Sequence, residues 1–125
     1  MLTLDAASKD FRGPEGPVRA VDEASLHVSA AELAAVHGPS GCGKTTLLLM
    51  AGALLRPTEG AAYLGELNMY EASSGERARI RAEDIGFVFQ RFHLVPYLSV
   101  IENITVPSLS RDDGEARERA EKLVE

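Results

Sequence analysis

One cysteine, Cys42, stands among 125 residues, so no disulfide can form within the chain, and a reducing compartment suits it. Tryptophan is missing and aromatic residues make up only 6%. No apolar run reaches the roughly 20 residues that a membrane-crossing helix needs. The opening Met1-Leu2-Thr3-Leu4-Asp5 has no basic stretch leading into an apolar one. These absences point to a cytoplasmic chain. Basic residues are scarce as well: 13 Lys and Arg stand against 19 Asp and Glu, a formal net charge of -6. A protein that gripped nucleic acid along its surface would need many phosphate-neutralising cations, so the balance argues against that class. It does not exclude one bound phosphate group, because the field at a single site is set by its nearest charges and N–H groups. His37 and His93 lack a Cys or carboxylate at ligand spacing, and both read as structural.

What is there is ordinary for a globular α/β domain: 45% hydrophobic residues, enough length for one core, and no repeats or low-complexity segment. Leu2-Thr3-Leu4-Asp5-Ala6 alternates like a half-buried strand, and Phe11 follows it. Residues 13–17, rich in Gly and Pro, predict a loop. Residues 18–28 then predict a second strand bent near Asp22-Glu23. Leu33-Ala34-Ala35-Val36 is a short apolar run before a glycine-rich loop, and residues 45–55 read as a helix: strand, loop, helix. Pro57 stops that helix, and residues 61–67 suggest a strand pair or an edge segment around Gly65. Residues 74–82 form a polar, Arg-rich helix candidate, and Ile85-Gly86-Phe87-Val88-Phe89 reads as a buried strand ending at Gln90. Ser99 and Glu102 match a capping box. Asp112 or Asp113 is placed to cap a last helix, with Glu115/Arg119 and Glu118/Lys122 four apart and Ala116, Ala120, Leu123 and Val124 on one face.

The chemistry lies in Gly38-Pro39-Ser40-Gly41-Cys42-Gly43-Lys44-Thr45, which fills every position of the phosphate-loop pattern: glycine, four residues, glycine, lysine, hydroxyl. Glycines let the backbone aim its N–H groups at one centre and approach the phosphates closely. The helix starting near Lys44 adds its positive dipole end. In this pattern Lys44 reaches the β and γ phosphates of a nucleoside triphosphate, the Thr45 hydroxyl ligates Mg2+, and Thr46 is a further phosphate contact. Chance supplies such a match in fewer than roughly one chain in a hundred of this length. Cys42 reads as a small loop residue, although oxidation or alkylation there would obstruct the phosphates.

Three stretches together carry a resemblance: residues 38–48, then Arg56-Pro57-Thr58-Glu59-Gly60, then Ile85-Gly86-Phe87-Val88-Phe89-Gln90 with the run Phe92 to Ile104 behind it. They resemble the nucleotide-binding subunit of ATP-binding cassette (ABC) transporters, most of all the subgroup serving lipoprotein release and macrolide export. The resemblance implies a P-loop nucleoside triphosphate hydrolase fold of ABC type, incomplete, with an N-terminal antiparallel β subdomain and the start of a helical subdomain. Residues 1–125 would be one partial domain, with the β subdomain and P-loop core in 1–90 and the helical subdomain beginning at 91. It further implies ATP and Mg2+ as ligands, and an ATP-binding subunit on the cytoplasmic face of a membrane.

By that resemblance Gln90 is the Q-loop glutamine, contacting Mg2+ or the attacking water. Phe11 stands where the family stacks adenine, a core phenylalanine being the plainer reading. Phe92, Leu94, Pro96 and Leu98 lie where transmembrane subunits dock, or are simply core of the helical subdomain. The family's signature sequence, acidic strand end and switch histidine are not present. Ser73-Ser74-Gly75-Glu76-Arg77 is only superficially like a signature and stands before Gln90 rather than after it. The expectation is therefore a chain that stops partway through the helical subdomain. It would bind MgATP and depend on a second ATP-binding subunit for the signature. It would hydrolyse nothing alone, and apolar strand edges would be left unpaired. A non-hydrolysing nucleotide-binding module, a gene fragment and a small-molecule kinase are the competing readings.

Overall fold

Alternating apolar residues ending in a two-residue turn make the first 28 residues a hairpin. Strand β1 (Leu2–Gly13) pairs antiparallel with β2 (Gly16–Val28), and Gly13 faces Gly16 across Pro14-Glu15. The computed structural model describes residues 1–110 and 114–124, which fall into two compact units, Met1–Arg81 and Ala82–Glu125.

In the first unit, β3 (Glu59–Leu64) adds to the other side of β1, and β4 (Leu67–Asn68) folds back around Gly65. The sheet order is β2-β1-β3-β4. Leu4, Ala7 and Ala62 are buried on it. The expected bend near Asp22-Glu23 is a β-bulge: the β1/β2 register slips between Leu4 and Ala7 and again at Lys9, with Ala6 and Glu23 at φ 42° and 43°. Ser8, fully buried there, is satisfied: its hydroxyl accepts from the Glu23 N–H at 2.8 Å and its carbonyl from the Thr58 N–H at 2.8 Å.

Helix α1 (Lys44–Ala51) packs on β1, β2 and β3 and buries Met50 and Ala51. It ends four residues short of the expected Leu55 because Gly52 caps it and Ala53 turns left-handed at φ 58°. The carbonyls released by that turn are collected by side chains. The Tyr70 hydroxyl lies 2.9 Å from the Met50 oxygen and 2.6 Å from the Leu55 oxygen, and Arg81 donates to the Ala53 carbonyl at 3.1 Å. Helix α2 (Ser74–Glu83) buries Ile80. Its start gives Ser73 and Glu76 a local role: Glu76 accepts from the Ser73 N–H at 2.9 Å, and the Ser73 hydroxyl accepts from the Glu76 N–H at 3.3 Å.

Neither residues 33–36 nor residues 85–89 form a strand, contrary to the sequence pattern. An apolar β-prone run becomes a strand only by pairing, and no described segment pairs with either. Leu33 is 96% exposed and Val88 is 100% exposed.

In the second unit, α3 (Val100–Thr105) starts with the expected capping box, Ser99 and Glu102 bonding reciprocally. A 3-10 turn (Val106–Ser110) follows, and then α4 (Ala116–Lys122). Asp112 and Asp113 lie outside the described residues. On α4 the Glu118–Lys122 pair forms at 2.7 Å, joined by Arg117–Glu121 at 3.0 Å. The expected apolar face is only half buried: Ala120 is covered, whereas Leu123 and Val124 follow the helix end and are exposed. Among the described residues no helix is long and apolar enough to cross a membrane.

The Ser99 box carries a prediction. Ser99→Ala should cost about 1 kcal/mol in the α3 region, read by hydrogen exchange of residues 100–105. The Ser99 hydroxyl and N–H hold the Glu102 carboxyl below its usual range. Its contribution is therefore present above the ordinary carboxylate pKa and lost as pH falls through the lowered value. In Ser99→Ala this acid dependence should shrink.

Candidate nucleotide-binding site

Gly43 sets the geometry of the phosphate loop. It occupies the position before α1 with φ 91° and ψ 2°, a left-handed conformation that favours glycine, and its carbonyl accepts the first helical bond from the Leu47 N–H at 2.9 Å. A Cβ there would stand 2.2 Å from the Ala20 carbonyl oxygen and 3.2 Å from Val21 Cγ2. The helix start is thus seated directly on the β2 backbone, with no room for a side chain between. At the other end of the loop, a Cβ on Gly38 would lie 2.6 Å from Cys42 Sγ.

The opening of α1 differs from those of α2 and α3. Those two are closed by serine and glutamate; α1 has no side-chain cap and no acid in its first turn. Its first N–H groups and its dipole are left for an anion. Left-handed Gly41 (φ 81°) and Gly43 alternate with other conformations along the loop, the backbone pattern that gathers N–H groups into an anion-binding concavity.

Lys44 spans this loop. Its ammonium donates to the carbonyls of Gly38 at 2.8 Å and Pro39 at 2.6 Å, and stands 3.7 Å from Cys42 Sγ. One positive charge is thereby held across the concavity. Thr45 is exposed, and its hydroxyl has no partner among the described residues; Thr46 beside it is half-buried. Ser40 is exposed on the same loop.

Phe11 belongs to the same unit. It faces Val18 in the β1/β2 hairpin, two residues from the Ala20-Val21 seat of Gly43, and is 43% exposed. Lys9 Nζ lies over its ring at 5.7 Å from the centroid. Asp10, between them, accepts from Arg19 Nε at 2.9 Å and Nη2 at 3.1 Å, which hold its carboxyl below the usual range. Lys9 and Arg19 escaped the sequence reading. A lysine two residues before an aromatic on a strand was the available signal for Lys9.

Gln90, Phe92, Leu94, Pro96 and Leu98 belong to the second unit. Gln90 is exposed, just beyond the stacked rings of Phe87 and Phe89, whose centroids lie 5.3 Å apart. Phe92, Leu94 and Pro96 are exposed and Leu98 is half-buried. Leu94, Pro96 and Leu98 line a groove of about 340 Å³ with Val100 and Ile104. Asn103, given no special role by its sequence context, ties this loop to α3. Its side chain accepts from the Val95 N–H at 2.8 Å and donates toward the carbonyls of Val95, Leu98 and Ser99 at 3.0–3.2 Å.

Comparison with known proteins identifies the family. The family model described as ABC transporter matches residues 21–125. Relatives include the macrolide export ATP-binding/permease protein MacB of Burkholderia thailandensis, 36% identical over 99% of this chain and 19% of that protein. Another is the lipoprotein-releasing system ATP-binding protein LolD of a Shewanella strain, 35% identical over 100% of this chain and 55% of that protein. Among solved structures, the dimeric post-hydrolysis state of the ATP-binding cassette MJ0796 bound to ADP and Pi superposes with a TM-score of 0.89. It is 34% identical, and the match covers 98% of this chain and 55% of that one. The chain thus spans about half the length of the separate ATP-binding proteins and about a fifth of the fused exporter. With the family model covering most of its length and a cassette fold at this identity, the chain belongs to the ABC transporter ATP-binding family.

Proposed function

We propose that the chain binds MgATP on residues 38–46 and serves as the ATP-binding part of an ABC transporter. The observation that carries this is the start of α1: an uncapped helix N-terminus, turned by left-handed Gly43 and crossed by the Lys44 ammonium. The backbone N–H groups of residues 38–46 cradle the phosphates, and Lys44 neutralises charge on the β and γ groups. Phe11 offers a flat, partly exposed ring for adenine, two residue positions from the loop's seat on β2.

The residues present fit magnesium as triphosphate sites use it. The Thr45 hydroxyl, without a partner among the described residues, would be one oxygen ligand, with nucleotide phosphates and water supplying the others in place of a carboxylate cage. A metal held there would supply charge neutralisation at the phosphates. The family resemblance alone assigns Gln90 to metal or attacking water. The Phe92, Leu94, Pro96 and Leu98 surface is the docking face for a transmembrane subunit, at the cytoplasmic side of the membrane. Apolar side chains left in water and a groove held open by Asn103 support that reading. Hydrolysis in this reading requires a second ATP-binding subunit.

Titration calorimetry with MgATP tests the reading. Lys44→Ala should weaken binding at least about tenfold while leaving the fold intact, since the lysine's partners are exposed carbonyls that water can satisfy. Equal affinity in both proteins would remove the phosphate-loop assignment.

A further inference from the structure

The Lys9 ammonium sits 5.7 Å from the centroid of Phe11, within reach of the ring's quadrupole, and is fixed there by a 2.6 Å hydrogen bond to the Arg56 carbonyl. The backbone between the two residues is held from both sides. Arg19 of β2 clamps the Asp10 carboxylate, and Thr58 Oγ1 accepts from the Asp10 N–H at 3.0 Å. Phe11 nonetheless keeps 43% of its surface in solvent. The ring therefore has a cation over it and part of its surface open.

We infer that Lys9 is a specificity-determining positioning residue: it closes one face of Phe11 and leaves the opposite face as a platform for a purine base. This rests on the nucleotide reading of residues 38–46 and Phe11. Two physical consequences follow from the arrangement. Sterically, a base can stack on only one side of the ring, which fixes its orientation relative to the loop seated on β2. Electronically, a cation over one face draws π density toward itself, leaving the other face poorer in electrons. Such a face stacks better with a large, electron-rich purine than with a pyrimidine. Lys9 itself touches no phosphate in this scheme.

The test compares MgATP, MgUTP and inorganic tripolyphosphate with Mg2+, titrated into the wild-type chain, Lys9→Met, Lys9→Arg, Phe11→Ala and the Lys9→Met/Phe11→Ala double variant. Lys9→Met should weaken MgATP about two- to fivefold, weaken MgUTP less, and leave tripolyphosphate unchanged. Lys9→Arg, which keeps a cation and an N–H donor, should stay near wild type. In the Phe11→Ala background, Lys9→Met should have no further effect, because the lysine acts through the ring. The inference is overturned if Lys9→Met binds MgATP as the wild type does. It is also overturned if the variant loses tripolyphosphate in parallel, which would put Lys9 on the loop or the phosphates, or if its effect persists without Phe11. A wild-type chain that binds none of the three would instead refute the nucleotide reading itself, a result distinct from all of these.

Discussion

Gly43→Ala should abolish useful MgATP binding, weakening it at least about a hundredfold, and destabilise the first unit by about 2–4 kcal/mol. Two costs add. Alanine at φ 91° is strained by its own Cβ against the peptide. The same Cβ would stand 2.2 Å from the Ala20 carbonyl oxygen, which is β2 backbone held between Arg19 and Val21, both paired with β1. Relief requires lifting the start of α1 off β2, and that displaces the N–H groups and Lys44 together. An ångström of displacement suffices, because hydrogen bonds to phosphate oxygens are steep in distance and angle. Gly41→Ala is the control: its φ of 81° brings strain, but an added Cβ meets nothing within 4 Å. It should cost about 1 kcal/mol and far less affinity. Calorimetric titration and thermal melts of both variants separate seating from conformation. Equal losses in the two would show that strain, and not the β2 seat, governs the loop.

The second large effect is expected at Tyr70. Its hydroxyl has one proton and two carbonyl neighbours, Met50 and Leu55, at the turn where α1 ends. The residue is almost fully buried, and Arg77 lies over its ring at 5.8 Å. Tyr70→Phe keeps the packing and removes the donor, leaving carbonyls at a buried helix end without water to replace it. The loss should be about 2 kcal/mol, several degrees in Tm. Burial also pushes the phenol up to about 12 from the ordinary 10. The neutral form is thus favoured on folding, and this contribution is fully present below pH 10 and lost as pH rises toward 12. Stability measured from pH 9 to 12 should fall more steeply in the wild type than in Tyr70→Phe, and the two curves should converge at the alkaline end. Parallel curves would mean that burial does not disfavour the ionised phenol in the folded chain.

How far the sequence reached can be traced residue by residue. The phosphate loop, the Ser99/Glu102 box, the hairpin about Gly65 and the bend at Asp22-Glu23 were all legible. Each is a local device, whose partners lie within a few residues or whose residue type answers to a backbone angle. The Ser73/Glu76 box was legible by the same rule and was obscured by a superficial likeness to a signature. Asn103 gave no such signal, because its side chain closes a loop that begins eight residues earlier.

The sequence by itself determined that the phosphate-loop pattern is present and which family's text surrounds it, since the glycine, lysine and hydroxyl spacing is local. Only the tertiary structure decided why Gly43 must be glycine, because the obstacle is a carbonyl on β2, 23 positions earlier in the chain. It decided too that residues 33–36 and 85–89, strand-like in composition, are not strands here. A strand exists through its ladder, and the partner that completes a ladder is never written in the strand's own residues.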